Sequence, residues 1–403
     1  MAPEFSLVTP TLRDLDLKGK RVLVRVDFNV PQDASGAITD DTRIRAALPT
    51  IQEILKQGGH PILMSHLGRP KGKVVEALRL VPMGERLEEL AGVHVTKLDD
   101  CIGAGVVAAI ARADPKGIVL LENVRFHDGD EKSDVEFARE LAANGDVFVN
   151  DAFGSSHRDH ASVCGVARLL PSCAGLLLER EIAAFKRVLE EPELPYVAIL
   201  GGAKISDKLA VIDALLDRVT TLLVGGGMAY TLLAANGYRV GKSLVQVDQV
   251  DAVKRALAKA ARLKVEVCLP EDHVCAAAFG EHEKAVAVDG PDIPGDLMGL
   301  DIGPKTRAKF ASRIRTAKTV VWNGPMGVFE WPSFRDGTAA VGQAVAACAG
   351  YTVIGGGDSV AAIEMLGLAS EIKHISTGGG ASLELLEGTL LPGIAALQRA
   401  GPH

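Results

Sequence analysis

Short apolar runs rich in Val, Leu and Ile alternate with amphipathic stretches along the whole chain, and this alternation constrains the fold most. It is typical of β-α-β units, in which helices cover a buried parallel sheet. The sequence therefore predicts an α/β fold built on parallel sheets. The predicted strands are residues 21–28, 61–65, 93–95, 118–121, 147–150, 196–200, 221–224, 265–268, 319–321, 352–354 and 374–376.

The length of 403 residues favours two such domains rather than one. Residues 176–190 have a strongly helical pattern, and Pro192 and Pro195 follow them. Proline ends a helix because it lacks a backbone donor and clashes with the preceding turn. We therefore predict one domain over residues 1–174, a helical connector and hinge over 175–195, a second domain over 196–376, and a C-terminal segment over 377–403.

Net charge and hydropathy limit the kinds of molecule that the chain is expected to bind. The formal net charge of −7 makes general binding to nucleic acid or an anionic membrane unfavourable. The longest uncharged stretch, between Asp336 and Asp358, is interrupted by Gly and Gln and predicts a helix followed by a strand rather than a membrane span. An anionic substrate must then be attracted by a local cluster of Arg and Lys.

The cysteines and the first residues indicate where the protein works. None of the six cysteines forms a C-x-x-C pair, which favours free thiols in a reducing compartment. Residues 1–11 lack the basic start and apolar stretch of a signal peptide. We expect a cytoplasmic protein.

Four glycine-rich loops follow apolar runs and precede helical patterns in the second half of the chain. Glycine lets the backbone approach a phosphate, and a helix N-terminus offers free N–H groups with a partial positive charge. One such loop is more often only a tight turn, but four together favour phosphate binding beyond the strand ends. The loops are residues 201–204, 225–228, 355–359 and 378–381.

Two standard nucleotide motifs almost occur, and neither fits. Residues 237–243 resemble a P-loop, but Asn236 stands where the first glycine is needed and the preceding residues look helical. Residues 103–108 match the dinucleotide spacing, but Asp99 and Asp100 before them would repel a pyrophosphate. Phosphate binding here must use another arrangement.

Arginines stand just past the predicted strands of the first half. Arg43, Arg69, Arg125 and Arg158 fall near the same predicted sheet edge. The planar guanidinium suits bidentate binding of phosphate or carboxylate. A single one would be read as a solvated surface arginine, but the shared placement predicts an anion site. His66 is a candidate contact there, and for His157 and His160 a purely structural role stays open.

The chain resembles the phosphoglycerate kinase family in eight blocks that keep the family's order and span the sequence. These blocks are VRVDFNVP (24–31), SHLGRP (65–70), LENVRF (121–126), DAFGSSHR (151–158), GGAKISDK (201–208), WNGPMGVFE (322–330), GGGDS (355–359) and STGGGASLELL (376–386). The resemblance implies two Rossmann-like domains joined by a helix and hinge, a monomer, and a C-terminal segment that returns to the first domain.

The resemblance also implies which residues contact each substrate. Those expected to bind 3-phosphoglycerate or 1,3-bisphosphoglycerate in the first domain are Asp27, Phe28, Asn29, Arg43, His66, Leu67, Gly68, Arg69, Arg125 and Arg158. Those expected to bind ADP or ATP in the second are Gly201, Gly202, Lys204, Lys208, Gly225, Gly299, Asn323, Glu330, Gly356, Gly357, Asp358 and Ser359.

The implied reaction passes a phosphoryl group reversibly from 1,3-bisphosphoglycerate to ADP. Arg43, Lys204 and the N–H groups of Gly356 and Gly357 are expected to stabilise the transferring group, and Asp358 to bind Mg²⁺. The acceptor is already anionic, because a carboxylate has a pKa of roughly 4, so no general base is required. Closure of the two domains is expected to exclude water.

Two alternatives belong to other classes. A nicotinamide-dependent oxidoreductase would need a G-x-G-x-x-G motif after the first strand, where residues 27–31 read DFNVP instead. A non-catalytic binding protein on the same fold would be favoured by loss of Arg43, Lys204 or Asp358, and all three are present.

Overall fold

The computed structural model describes residues 7–399. Contacts divide them into two compact units, residues 7–183 with 390–399 and residues 184–389. Residues 1–6 and 400–403, which belong to the predicted first domain and C-terminal segment, lie outside the described residues. The prediction for residues 1–11 is therefore only partly covered.

The first unit contains a six-stranded sheet in the order β3-β4-β2-β1-β5-β6, and every strand pair in it is parallel. On the central strand, Val24 lies between Leu63 and Val149 of the two neighbours. The strands are β1 (Arg21–Arg25), β2 (His60–Met64), β3 (Val95–Lys97), β4 (Ile118–Leu120), β5 (Val147–Asn150) and β6 (Ser172–Ala174).

Helices cover this sheet, and the longer ones do so through an apolar side. In the first helix Ile44, Ile51 and Ile54 are buried at helical spacing, and they pack into the same core as Val22 and Val24. The helices are α1 (Thr42–Lys56), α2 (Val81–Ala91), α3 (Ala104–Arg112), α4 (Asp128–Glu131), α5 (Val135–Ala142) and α6 (Leu176–Leu189), of which α6 continues into the second unit after residue 183.

The second unit has its own parallel sheet in the order β15-β14-β13-β7-β8-β9, and Trp322 lies fully buried in its core. A separate three-stranded antiparallel sheet has the order β11-β10-β12, and its strands come between β9 and β13 in the sequence. The strands are β7 (Tyr196–Leu200), β8 (Thr221–Val224), β9 (Glu266–Cys268), β10 (Asp272–Ala276), β11 (Val286–Asp289), β12 (Met298–Ile302), β13 (Thr319–Asn323), β14 (Tyr351–Gly355) and β15 (His374–Ile375).

The helices of the second unit follow its strands, and one last helix belongs to the first unit. In that last helix the Gly393 N–H donates to the Ser156 carbonyl at 2.9 Å. The helices are α7 (Leu209–Leu216), α8 (Ala229–Ala235), α9 (Val250–Leu263), α10 (Pro304–Arg315), α11 (Asp336–Ala346), α12 (Gly357–Met365), α13 (Gly379–Leu386) and α14 (Pro392–Arg399).

The predicted α/β class with two parallel sheets is confirmed, with differences at strand ends. The strand predicted over residues 21–28 ends at Arg25, because Phe28 N–H donates to the Ser65 hydroxyl instead of a neighbouring strand. The sheet β10–β12 was not predicted, since β11 is only half-buried and lacks a continuous apolar run.

No helix within residues 7–399 has both the length and the apolar character to cross a membrane. Two smaller predictions are confirmed. The uncharged stretch forms α11 followed by β14. All six cysteines are buried free thiols.

Candidate active site

The predicted phosphoglycerate residues lie in loops at one edge of the first sheet. The loops follow β1, β2, β4 and β5, and the carboxyl ends of parallel strands meet at one edge. The first loop turns back on itself around Arg43, at the start of α1. Arg43 Nη1 donates to Asp27 Oδ2 at 3.0 Å and to the Asn29 carbonyl at 3.2 Å. Its side chain remains 39% exposed, so part of the guanidinium is open to a ligand.

His66 lies at the centre of a set of arginines. Burial, and then the positive charges of Arg25, Arg125 and Arg158, hold its pKa well below the usual value. Arg25 Nη2 lies 3.0 Å from His66 Nδ1, and a guanidinium can only donate. Nδ1 is therefore the acceptor, and the neutral ring carries its proton on Nε2, where it can donate to an anion.

Asn123 connects the loops after β2 and β4. Its Oδ1 accepts from Leu67 N–H at 3.2 Å and from Arg125 N–H at 3.1 Å, while its Nδ2 donates to the Leu67 carbonyl at 2.9 Å. Arg125 Nη1 then donates to the Gly68 carbonyl at 2.9 Å, and Asn29 Oδ1 accepts from Gly68 N–H at 2.9 Å. Hydrogen bonds therefore join the predicted residues Asn29, Leu67, Gly68 and Arg125 into one network, to which Arg43 is linked through the Asn29 carbonyl.

Arg69 and Arg158 are the more open arginines of the cluster. Arg69 is exposed and makes no hydrogen bond or ion pair with any described residue. Arg158 is half-buried, and its Nε donates to His157 Nε2 at 3.2 Å. His160 is buried with Nδ1 3.7 Å from Asp130 Oδ2, which supports the structural reading left open for it.

Sequence reasoning missed Arg25 and Asn123. Arg25 is wholly buried, and its Nε donates to the Ser162 hydroxyl at 3.1 Å. A charged residue inside the apolar run RVLVRV was the available signal, because an arginine is almost never fully buried without partners. Asn123 gave no comparable signal, since its role depends on two loops distant in sequence.

In the second unit, three of the four glycine-rich loops line a cleft of about 520 Å³. Lys204 is exposed beside it, and Lys208 is buried to 9% exposure. Burial lowers the pKa of Lys208, and Asp207 and Asp358 oppose that shift. The residues that line the cleft are Gly201, Gly202, Ala203, Lys204, Asp207, Lys208, Asn323, Gly324, Gly356, Gly357, Asp358, Ser359, Gly379, Gly380 and Leu383.

Asn323, the last residue of β13, presents an unused donor to this cleft. Its Oδ1 accepts from Lys208 Nζ, and its Nδ2 is buried with no hydrogen-bond partner in the part of the chain that the structure describes. An unpaired buried donor is unfavourable unless a ligand accepts from it. Together with two lysines, it suits a phosphate oxygen.

Helix α12 begins at the same cleft. Gly356 precedes the helix with φ +93°, a conformation that side chains rarely adopt, and a Cβ there would lie 3.0 Å from Asn323 Nδ2. Ser359 is buried and its hydroxyl accepts from Gly324 N–H at 2.6 Å. The first turn of α12 is thereby fixed with its N–H groups directed to where an anion can bind.

A second cleft of about 510 Å³ shares Gly202, Ala203 and Asp358 with the first and is mainly apolar. Its lining includes Tyr230, Phe279, Met298, Gly299 and Leu300. A Cβ on Gly299 would lie 2.1 Å from the Tyr230 hydroxyl oxygen, so only glycine fits. Sequence reasoning found Gly299 but missed the apolar residues, because β12 and its sheet were not predicted.

Two predicted nucleotide residues do not line either cleft. Gly225 is buried at the end of β8, where its N–H donates to the Leu200 carbonyl at 2.9 Å. Glu330 is exposed and has no hydrogen bond or ion pair among residues 7–399. Lys242 and Ser243, from the rejected P-loop-like stretch, do line the second cleft, and Ser243 Oγ accepts from Gly299 N–H at 2.9 Å.

One group of potential metal ligands is explained without a metal ion. Asp100, Cys101 and His127 have ligand atoms within 4.8 Å of one another. However, Asp100 Oδ1 lies 2.7 Å from His127 Nε2, so these two side chains already pair with each other. Their proximity needs no further explanation.

An arginine cluster in one parallel α/β unit and lysines among glycine-rich loops in the other define a phosphotransferase of the kinase type. The phosphoglycerate kinase family model matches residues 12–389. The chain therefore belongs to the phosphoglycerate kinase family, whose members catalyse a phosphoryl transfer of glycolysis.

Individual relatives agree with the family match. The chain is 56% identical over 387 residues to the phosphoglycerate kinase of Moorella thermoacetica, covering 96% of this chain and 98% of the relative. It is 55% identical over 392 residues to that of Roseiflexus sp., covering 97% and 99%.

Solved structures agree as well. The phosphoglycerate kinase from Coxiella burnetii superposes with a TM-score of 0.89 at 40% identity, covering 98% of this chain and all of that chain. The enzyme from Pyrococcus horikoshii gives 0.84 at 32% identity, covering 97% and 99%.

Proposed function

We propose that the first unit binds phosphoglycerate, that the second binds the nucleotide, and that the chain transfers a phosphoryl group reversibly from 1,3-bisphosphoglycerate to ADP. The cleft formed by the glycine-rich loops is the observation that carries the proposal, because it offers two lysines, a helix N-terminus and the unpartnered Asn323 Nδ2 to phosphates. The family match supplies the identity of the reaction.

The basic cluster suits a small molecule with one phosphate and one carboxylate. Arg69 and Arg158 have free hydrogen-bonding capacity, and neutral His66 can donate from Nε2. The Gly68 carbonyl accepts a hydrogen bond from Arg125 Nη1, which fixes this side chain within the network of loops. Several preoriented donors on one small anion give both affinity and a fixed pose.

The two clefts of the second unit suit the two ends of a nucleotide. We assign the phosphates to the cleft with Lys204, Lys208 and the start of α12, and the base to the apolar cleft with Phe279 and Leu300. Glu330 as the ribose acceptor and Gly225 as a nucleotide contact stay predictions. Neither lines a cleft in this structure.

The chemistry needs charge stabilisation rather than a base. The attacking group is a carboxylate or a nucleotide phosphate, both anionic at neutral pH. We assign to Arg43, Lys204 and the Gly356 and Gly357 N–H groups the stabilisation of the charge on the transferring phosphoryl group. Arg43 retains an exposed guanidinium, and Lys204 an exposed ammonium group. The proposal requires the two units to come together when both substrates are bound.

The donor set of the phosphate cleft fits magnesium. Asp358 is exposed within the cleft, and an oxygen ligand of this kind is what Mg²⁺ takes while keeping several waters. When bound with the nucleotide, Mg²⁺ would neutralise phosphate charge. The role of this chain's residues is to hold the carboxylate at the start of α12, beside Gly357 and Ser359.

The remaining proposals concern the state of the protein. Small-molecule substrates follow from the family. We further propose a monomer in the cytoplasm that binds neither nucleic acid nor membrane, supported by the net charge of −7 and by the six free cysteines.

A coupled assay of ATP formation from ADP and 1,3-bisphosphoglycerate tests the proposal. The wild-type protein should form ATP, and Lys204→Ala should lower kcat by about 10²-fold. Lys284→Ala removes another exposed lysine of the second unit and should leave kcat unchanged. Absence of ATP formation, or binding of a nicotinamide cofactor in its place, would reject the proposal.

A further inference from the structure

Asp151 is a buried carboxylate at the junction of three segments of the first unit. It follows β5, its N–H donates to the Arg25 carbonyl at 2.9 Å, and it is 1% exposed. It also opens the loop that carries Arg158, seven residues further on. Nothing in the reaction as derived above uses it.

The carboxylate is fixed to the first turn of α6. Oδ1 accepts from Leu177 N–H at 2.9 Å and from Leu178 N–H at 3.4 Å. The approach is so close that a Cβ on Gly175 would lie 2.2 Å from Oδ1. Asp151 therefore satisfies two of the free N–H groups at the N-terminus of α6.

The same turn is tied to α1. Leu176 N–H donates to the Thr50 hydroxyl at 2.9 Å, and Thr50 lies on the helix that carries Arg43. Three segments thus meet within a few ångströms: the loop that leads to Arg158, the helix that carries Arg43, and the start of α6.

Capping α6 does not by itself explain why an ionisable carboxyl group is buried at this position. Oδ2 has no hydrogen-bond partner among the described residues. Burial raises the pKa of Asp151 to about 7, although the Thr50 hydroxyl and the two N–H groups oppose the rise. The titratable groups that interact with it are Arg180 on α6 and Cys173 on β6. Asparagine would cap α6 without this penalty.

We propose that Asp151 is a positioning residue, whose carboxylate holds the Arg158 loop and the Arg43 helix in place against the start of α6. The inference rests on the proposed function, because it takes Arg158 to contact the phosphoglycerate and Arg43 to stabilise the transferring phosphoryl group. The ionised carboxylate forms charge-assisted hydrogen bonds, which are stronger than those of the neutral acid. The KM for 3-phosphoglycerate should therefore fall as the pH rises through about 7.

The effect of pH on stability should be opposite to its effect on substrate affinity: as the pH rises, the affinity for 3-phosphoglycerate increases while the stability of the fold decreases. The folded pKa of about 7 lies above the value of roughly 4 in an unfolded chain, so the folded state binds the extra proton between these values. Stability contributed by this group therefore declines as the pH rises from about 4 to about 7. The variant Asp151→Asn should remove that decline.

The test compares Asp151→Asn with Asp272→Asn. Asp272 provides the same arrangement at the start of α10: it is buried, accepts from Thr306 N–H at 2.8 Å, and a Cβ on Gly303 would lie 2.3 Å from its carboxyl carbon. It belongs to neither predicted site. The KM for 3-phosphoglycerate and kcat are measured from pH 6 to pH 9 with ATP in excess.

We expect Asp151→Asn to raise the KM for 3-phosphoglycerate about tenfold at pH 8 and to lack the change in KM near pH 7 that we expect of the wild type. The substrate's own ionisation is common to both proteins and cancels in their ratio. Asp272→Asn should lower thermal stability and leave this KM unchanged. If Asp151→Asn shifts only thermal stability, or keeps the wild-type pH profile, the inference is wrong.

Two further variants keep the test decisive. Thr50→Val removes the hydroxyl that holds Leu176 N–H without adding volume, and should raise the same KM more mildly if Asp151→Asn does not fold. An unchanged KM in Thr50→Val would then overturn the inference. Arg158→Ala tests the proposed function by itself: an unchanged KM there rejects the phosphoglycerate assignment rather than the role of Asp151.

Discussion

Arg43 shows how a residue can be held and still be available. Its contacts with Asp27 and the Asn29 carbonyl use one terminal nitrogen, and the rest of the guanidinium is open to a ligand. A preoriented charge of this kind acts on the transition state more than on the bound substrate.

We therefore predict that Arg43→Ala lowers kcat by about 10²–10³-fold while the Kd for 3-phosphoglycerate changes little. Arg45→Ala is the matched control, because Arg45 lies on the same helix, is largely exposed, and forms an ion pair only with Asp41 among residues 7–399. Steady-state kinetics combined with calorimetry separates the two quantities. A raised KM at constant kcat would make Arg43 a ground-state contact.

Gly299 is a second residue whose type is dictated by packing. Gly299→Ala would place a Cβ 2.1 Å from the Tyr230 hydroxyl oxygen and force the apolar cleft to rearrange. The KM for ADP should rise and stability should fall by about 1–3 kcal/mol, with the KM for phosphoglycerate unchanged.

Gly295→Ala is the control in the same unit, because a Cβ there meets nothing within 4 Å. Both variants are compared by nucleotide kinetics and thermal unfolding. Equal nucleotide KM values for Gly299→Ala and the wild type would exclude the apolar cleft as the base site.

At the level of elements, the start of α12 combines a glycine with a positive φ, a buried serine whose hydroxyl accepts a backbone hydrogen bond, and an exposed aspartate. Gly356 sets the direction of the chain, Ser359 ties the first turn to Gly324, and Asp358 faces the cleft. The element thus presents N–H groups and the proposed metal ligand Asp358 on a fixed backbone.

Gly356→Ala should reduce kcat strongly, because the added Cβ strains a backbone at φ +93° and presses on Asn323. Gly367→Ala, at φ +68° after the end of the same helix, meets nothing within 4 Å and imposes backbone strain alone. Thermal unfolding should show a loss for both variants, larger for Gly356→Ala, and kinetics a loss only for Gly356→Ala. Similar kcat values for the two would contradict a catalytic role for this helix start.

The elements also show what the sequence could and could not predict. Parallel strands such as β7 and β8 were predicted to their last residue, because buried strands form continuous apolar runs bounded by glycine. β11 escaped, since its four residues, VAVD, are too few and too exposed to form a continuous apolar run. Arg25 and Asn123 escaped as site residues for a related reason: their roles depend on neighbours brought together only by the sheet.

At the scale of the whole molecule, the two predicted ligand sites belong to different units of the chain. A ligand shifts a conformational equilibrium only by its differential affinity for the two states. If each substrate contributes part of that difference, neither alone completes the change.

We expect small-angle scattering to show a smaller radius of gyration only when 3-phosphoglycerate and the magnesium nucleotide are both bound. The free and singly liganded states should resemble one another. An unchanged radius in every state would reject closure, and a full decrease with nucleotide alone would show that phosphoglycerate is not needed.

The division of labour between the units is the central claim, and separate calorimetric titrations test it most directly. Arg69→Ala and Asp358→Ala change exposed side chains, so both variants should fold normally. Arg69→Ala should weaken 3-phosphoglycerate binding about 10- to 100-fold and leave Mg-ADP binding near normal. Asp358→Ala should weaken Mg-ADP binding and leave 3-phosphoglycerate binding near normal. If Asp358→Ala abolishes 3-phosphoglycerate binding while Mg-ADP still binds, the assignment of the two sites is reversed.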